Sequence, residues 1–131
     1  MQGFRKVLHS KIHRARVTQA ELHYEGSVTI PPELLFAADI HEYEGVHIWN
    51  VTRGTRFETY AITGKPGSTD ICINGAAAHL AKPGDIVIIA CFEHIESERI
   101  YTHKPRLVFV DENNRMLPTR AEVPGPDVLV V

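Results

Sequence analysis

The chain of 131 residues has only two cysteines and no long apolar run, and each shortage excludes a class of protein. Cys72 and Cys91 lie in apolar, strand-like stretches and not in a CxxC spacing, so we expect buried free thiols and a reducing compartment. No apolar run approaches the length of a membrane-spanning helix, and no basic leader precedes an apolar segment. These absences predict a cytoplasmic protein that does not enter a membrane.

The chain also lacks an excess of charge, because 14 Lys and Arg stand against 16 Asp and Glu, a net charge of −2. That balance gives no general positive field for binding a nucleic acid. Basic residues are nevertheless concentrated in residues 5–18, which contain no acid and include Arg5, Lys6, Lys11, Arg14 and Arg16. This segment is either a solvated strand face that protects a sheet edge or part of a site for a small anion.

Several common catalytic and metal-binding motifs are missing as well. His9 and His13 are four residues apart, but a strand would separate them by about 13 Å. The sequence contains no HExxH and no cluster of cysteines and histidines, so no metal site is predicted despite its 8 histidines. It also contains no GxGxxG, Walker or GxSxG motif, which leaves no basis for a nucleotide site or a conventional serine triad.

Strand-like alternation, in contrast, recurs along a single domain that spans residues 1–131. The period of two predicts a strand over residues 6–17 with one face formed by Val7, His9, Lys11, His13, Ala15 and Val17. Further strands are predicted over residues 27–30, 45–52, 55–63, 69–73 and 86–92, and a hairpin over residues 106–117. In the strand 55–63, Arg56, Glu58, Tyr60 and Ile62 share one face while Thr59 takes the other.

Helical signals are few and short. Thr18 and Glu21 have a capping spacing that predicts one helical turn over residues 18–22. Two prolines open a predicted helix over residues 31–40, and a short helix is predicted over residues 76–80. Many short strands with few short helices predict a mainly β fold, a small β-barrel decorated with helical turns.

One alternative starts from residues 26–52. Their strand, Ile-Pro, short helix and second strand resemble the swapped-hairpin DNA-binding modules of bacterial transition-state regulators. This interpretation predicts a non-catalytic barrel with a DNA-binding or scaffolding role. The segment has no Lys or Arg to face phosphates and instead carries Glu33, Asp39, Glu42 and Glu44.

Four separated motifs carry a more specific resemblance: "KIHRARVTQAELHYEGS", "IWNVTRGTRFETYAI", "INGAAAH" and "GDIVIIACF". In this order and at these intervals they closely resemble the bacterial aspartate 1-decarboxylases, pyruvoyl-dependent enzymes that make β-alanine for pantothenate synthesis. The resemblance extends over about residues 11–110. It implies a double-psi β-barrel that assembles as a homotetramer.

The resemblance also implies that the chain is a proenzyme that cuts itself between Gly26 and Ser27. The Ser27 hydroxyl would attack the carbonyl before it, and elimination from the resulting ester would leave residues 1–26 as a β chain. Residues 27–131 would form the α chain, with Ser27 converted to a covalent pyruvoyl cofactor. Thr59 matches a residue that contacts the attacked carbonyl, and in some relatives an accessory maturation protein assists the cut.

For the reaction itself, the resemblance implies decarboxylation of L-aspartate with Tyr60 as the proton donor. Arg56 and Lys11 match residues near the substrate, and their positive charges suit its two carboxylates. Asn74 is expected to support the cofactor. The substrate-binding loop matches Gly75, Ala76 and Ala77, which would present backbone N–H groups to the ligand.

Overall fold

An eight-stranded sheet organises the computed structural model, which describes residues 3–126. The strands are β1 (Phe4–Arg16), β2 (Gln19–Glu21), β3 (Ser27–Ile30), β4 (Gly45–Asn50), β5 (Arg56–Thr63), β6 (Cys72–Asn74), β7 (Ile86–Glu96) and β8 (Arg106–Phe109). The helices are α1 (Pro32–Ala38) and two short 3₁₀ helices, Gly75–His79 and Ser97–Thr102. The predicted mainly β fold is confirmed, and the arrangement is compatible with a double-psi β-barrel.

Neighbouring strands follow the order β2-β6-β3-β5-β4-β7-β1-β8, so strands distant in sequence pair with each other. The core lies on one side of these strands and is rich in β-branched residues, including Ile12, Val28, Ile48, Ile73 and Ile89, all 0% exposed. Burying each such side chain stabilises the fold by about 1.5–3 kcal/mol. The opposite faces of β3 and β5 are therefore free to carry polar residues.

The predicted strands are largely confirmed, with changes at their ends. β7 continues past the predicted boundary to Glu96 because the beginning of β1 pairs with it, from Phe4 opposite Glu96 onward. Only the first part of the predicted hairpin 106–117 is a regular strand, and Val110 and Met116 form an isolated bridge beyond it. The 3₁₀ helix Ser97–Thr102 was not predicted.

The prediction of a single face along β1 is wrong, because two register shifts each insert an extra residue opposite β7. One shift lies at His9 and the other lies between Ile12 and Ala15, where Arg14 adopts a left-handed φ of 65°. A bulge moves every later side chain to the opposite face. The buried side chains are consequently Ser10, Ile12, Ala15 and Val17.

The predicted helical turn over residues 18–22 is also wrong, because β2 occupies residues 19–21 and runs parallel to β6. The Thr18 hydroxyl does not cap a helix. It donates to the Ile71 carbonyl at 3.2 Å and accepts the Ile71 N–H at 3.0 Å. The side chain that suggested a helix start therefore joins two distant parts of the chain.

The turn between β4 and β5 lies at Arg53-Gly54, as predicted, and Gly54 has a φ of +77°. Buried Asp85 holds this turn, because it accepts hydrogen bonds from Arg53 Nε at 2.6 Å, Asn50 Nδ2 at 2.9 Å and the Lys82 N–H at 2.9 Å. Burial alone would raise the pKa of Asp85, but these hydrogen bonds and the Arg53 charge lower it. This network fixes the ends of the strands that carry the site.

Both cysteines are free thiols, as expected, but only Cys91 is buried, and Cys72 is half-buried. Burial raises the pKa of Cys91 to about 11. Cys91 therefore remains a neutral thiol. None of the helices within residues 3–126 is long and apolar enough to cross a membrane.

Candidate active site

Gly26 and Ser27 lie at the point where an exposed loop enters the sheet. Gly26 is exposed, whereas Ser27 is the first residue of β3 and only 6% exposed. β3 pairs in parallel with β5 and antiparallel with β6, so its backbone is held on both sides. Because Val28 faces the core, the side chains of Ser27 and Thr29 project from the opposite face.

Asn74 is the direct cross-strand partner of Ser27. Its Nδ2 donates to Ser27 Oγ at 3.3 Å and to Thr29 Oγ1 at 3.3 Å. Since the amide donates in the first contact, the hydroxyl proton of Ser27 stays available for another acceptor. Asn74, which was predicted to support the cofactor, is thus hydrogen-bonded to the residue proposed as its precursor.

Gly75 packs directly against the loop that ends at Ser27. It has a φ of +75°, and a Cβ at this position would lie 2.6 Å from Gly26 Cα and 3.1 Å from the Tyr24 carbonyl oxygen. A Cβ on Gly26 would instead meet only the Asn74 carbonyl oxygen, at an ordinary 3.9 Å. The steric constraint on this contact therefore falls on Gly75.

The other two residues of the predicted loop follow Gly75 in the 3₁₀ helix. Ala76 is exposed and Ala77 is half-buried against the core.

Tyr60 lies beside Ser27 across the parallel pair of β5 and β3. Ala61 is in register with Val28, so Tyr60 and Ser27 are the preceding residues of the two strands. Tyr60 is 37% exposed, and its ring lies 6.2 Å from that of Tyr43, a residue with a left-handed φ of 73°. The exposed Tyr60 and half-buried Thr59 take opposite faces of β5, as the sequence alternation predicted.

Arg56 is not brought to Ser27 within the chain. It lies four residues before Tyr60, about 13 Å along the strand. Its guanidinium carbon lies 5.2 Å from the centre of the Trp49 ring, opposite it on β4. Both residues border a cavity of about 260 Å³ that also includes Thr55.

Lys11 lies on β1, which pairs with β7 and β8 and not with β3 or with either neighbour of β3. Its Nζ lies 2.6 Å from Glu122 Oε1, and its side chain is only 14% exposed. Nearby, burial and then the positive charges of Lys11, Arg14 and Arg120 lower the pKa of His13. Sequence reasoning missed Glu122, which belongs to no motif.

The histidines of the described chain do not assemble a metal centre. Within residues 3–126, no group of three or more His, Cys, Asp and Glu side chains is arranged to hold a metal ion. His9 instead pairs with Glu93 and with Asp39, whose Oδ2 lies 3.1 Å from His9 Nε2.

The family model for aspartate decarboxylase matches residues 3–117, which include Gly26, Ser27, Tyr60, Asn74 and Gly75. The chain belongs to the aspartate decarboxylase family. The resemblance that the four motifs carry is thereby confirmed, and so is the prediction that the chain is an enzyme of this family.

Relatives named aspartate 1-decarboxylase support the same assignment over nearly the whole length. The protein of Legionella pneumophila is 65% identical over 92% of this chain and 90% of its own. That of Myxococcus xanthus is 61% identical over 89% of this chain and 91% of its own. That of Rhodopirellula baltica is 58% identical over 95% of this chain and 80% of its own. These matches favour an aspartate decarboxylase over the DNA-binding alternative.

Proposed function

We propose that this aspartate decarboxylase converts L-aspartate to β-alanine and CO₂ for pantothenate synthesis, with a pyruvoyl group that it makes from its own Ser27. The observation that carries the proposal is the placement of Ser27. A buried serine begins β3 directly after an exposed glycine, and an amide donor is hydrogen-bonded to its hydroxyl.

Self-cleavage would begin with attack of Ser27 Oγ on the Gly26 carbonyl carbon, which breaks the peptide C–N bond and forms an ester. Loss of the Cα proton of residue 27 then expels the Gly26 carboxylate and leaves dehydroalanine. Hydrolysis releases ammonia and leaves a ketone. Asn74 supports the first step by orienting Oγ, and Gly75 supports it by letting the Gly26 backbone approach closely. In the family, the residue matching Thr59 contacts the attacked carbonyl.

The surroundings of residue 27 fit the proposed cofactor. The Asn74 Nδ2 group is a donor, so it can hydrogen-bond a ketone oxygen as well as a serine hydroxyl. A pyruvoyl ketone supplies an electrophile for the substrate amine and accepts electrons from the breaking bond to CO₂. The protein's own task is then to hold the substrate at this point and to return a proton.

Tyr60 is the proposed proton donor. The register of β5 with β3, which sets Ala61 opposite Val28, and the partly exposed ring of Tyr60 support this role. A strand held by hydrogen bonds on both sides limits the positions that this phenol can take, and a general acid needs such positioning to reach the α-carbon.

Arg56 and Lys11 are the proposed partners of the substrate carboxylates, together with the loop Gly75, Ala76 and Ala77. Neither cation is opposite Ser27 in the sheet of the same chain: Arg56 lies about 13 Å before Tyr60 along β5, and Lys11 is on a strand that does not pair with β3. An assembly could bring such residues from neighbouring copies to one site. This separation supports the homotetramer that the family resemblance implies.

Intact-mass measurement of the denatured protein tests the proposal. We expect a fragment of residues 1–26 and a remainder whose first residue has no free amine. Ser27→Ala should abolish both the cut and the release of CO₂ from L-aspartate. A freshly purified and a warmed, aged sample that both remain a single uncut chain, or a Ser27→Ala variant that still turns over, would contradict it.

A further inference from the structure

The segment 118–126, which we call the C-terminal strap, crosses the surface beside β1 after the chain leaves Leu117. Leu117 donates its N–H to the Phe109 carbonyl at 2.8 Å, and among the described residues no later backbone hydrogen bond joins the strap to the sheet. The strap also lies beyond residues 3–117, the part that matches the aspartate decarboxylase family. Within the described residues, its hydrogen-bonded and charged contacts with the rest of the fold are therefore made by side chains.

Two side chains of the strap make these attachments. The Arg120 guanidinium carbon lies 4.1 Å from the centre of the Phe109 ring, and Glu122 Oε1 lies 2.6 Å from Lys11 Nζ. Phe109 in turn meets the His13 ring edge-on at 5.5 Å. The strap thus contacts Lys11 directly and reaches His13 only through the Phe109 ring.

The contact with Lys11 is chemically the same as the contact proposed for the substrate. A carboxylate oxygen of Glu122 binds the Lys11 ammonium group, which in the proposed complex would hold a carboxylate of L-aspartate. The charges around it are otherwise positive, because Lys11, Arg14 and Arg120 all act on His13 and Glu122 is the opposing negative charge. Departure of the strap would leave the positive charges of Lys11 and Arg14, which attract a dicarboxylate.

The attachment is also easy to reverse. The side chain of Glu122 is 50% exposed, so water and salt reach the ion pair and weaken it. Within the described residues the strap has no backbone hydrogen bond to the sheet, and its release would break this ion pair and separate Arg120 from Phe109.

We propose that the C-terminal strap is a built-in competitor for Lys11, displaced when a dicarboxylate binds. The inference rests on the proposed role of Lys11 in holding the substrate. It predicts that Glu122→Gln lowers the KM for L-aspartate by about threefold and leaves kcat unchanged, because only a competing contact has been removed. Glu98→Gln, which removes a carboxylate from the exposed 3₁₀ helix Ser97–Thr102, is the matched control and should keep the parent KM.

A second measurement reports the release of the strap from the surface and does not depend on decarboxylation. Trypsin cuts after Arg120, and the mass of the chain reports loss of residues 121–131. Succinate has two carboxylates and no amine, so it can bind without reacting, and we expect it to speed this cut in the parent protein. In Glu122→Gln the cut should already be fast, and succinate should add nothing. Sodium chloride at the same ionic strength controls for screening.

The outcomes separate this inference from the proposed function. Two results would overturn the proposal that the strap competes for Lys11. One is an unchanged or higher KM in Glu122→Gln, and the other is a tryptic cut that succinate does not speed beyond the salt control. A parent protein that releases no CO₂ from L-aspartate, while succinate still speeds the cut, would overturn the proposed function and support the displaceable strap.

Discussion

Gly75 and Gly26 touch backbone to backbone, and no side chain can stand between them. A Cβ on Gly75 would lie 2.6 Å from Gly26 Cα and 2.8 Å from Gly26 N, far inside ordinary contact. This approach seats the end of the loop against the beginning of the 3₁₀ helix. The bond between Gly26 and Ser27 is consequently held by its neighbours before any chemistry begins.

Gly75→Ala is expected to destabilise the fold and to slow the cut after Gly26. Gly67→Ala is the matched control, because Gly67 has a similar φ of +80° and nothing within 4 Å of a new Cβ. The left-handed conformation alone should cost about 1–2 kcal/mol in the control, and the clash should add to this at Gly75. Urea unfolding in an uncut Ser27→Ala background measures the stability, and intact mass measures the cut. Equal costs and equal rates of cutting for the two variants would contradict the steric account.

Asn74→Ala should slow the formation of the 1–26 fragment, because Ser27 Oγ loses the amide that orients it. The backbone at Asn74 is extended, with a φ of −113°, so alanine fits the conformation. Asn113→Ala, in the exposed turn after β8, is the control for loss of an amide. Mass spectrometry measures the rate at which the fragment forms. An Asn74→Ala rate equal to that of the control would show that Asn74 does not contribute to the cleavage step.

Tyr60→Phe should leave the cut intact and lower turnover of L-aspartate by about 10²–10⁴-fold, the usual contribution of a positioned general acid. The variant keeps the ring and its contact with Tyr43, so only the phenol is lost. Tyr101→Phe, at a side chain that is 84% exposed, provides the comparison. Initial rates of CO₂ release give the readout, and parent-like rates in fully cut Tyr60→Phe would exclude Tyr60 as the donor.

His9 should make the free energy of unfolding fall as the pH rises, because its pKa is raised in the folded protein. Burial opposes its charged form, but the hydrogen bond with Glu93, the hydrogen bond to the Asp39 carbonyl and both carboxylate charges together raise the pKa of His9 above 6.5. This stabilisation is complete below pH 6.5 and is lost as the pH rises through the folded-state value. Free energies of unfolding for the parent and His9→Gln, compared from about pH 5 to about pH 9, should converge at high pH. A gap that stays constant or widens would contradict the assignment.

The sequence was informative where local rules and the packing agreed. Two prolines predicted the start of α1, and period-two alternation placed Tyr60 and Thr59 on opposite faces of β5. It failed where a side chain served a distant partner. Thr18 has the spacing of a helix cap but bonds to Ile71, and the bulges in β1 depend on the register of β7 and leave no local pattern.

The candidate site also contains residues that the sequence predicted and contacts that only the structure reveals. Ser27 and Asn74 are far apart in sequence and meet only because β3 pairs with β6, so family motifs could suggest their partnership but local patterns could not. Arg56 and Lys11 were predicted near the substrate, and strand pairing within one chain sets neither of them opposite Ser27. Glu122 lies outside all motifs, and only its contact with Lys11 draws attention to it.

The long β1 gives a cut chain a particular kind of stability. Residues 1–26 would remain bound through the backbone of β1, which pairs with β7 on one edge and with β8 on the other, although no covalent bond retained them. Folding of the proenzyme is a reaction of one molecule, whereas unfolding of the cut form releases two. Refolding would then require an encounter between separate chains and would depend on their concentration. At low concentration, the cut form would thus be preserved chiefly by how slowly it comes apart.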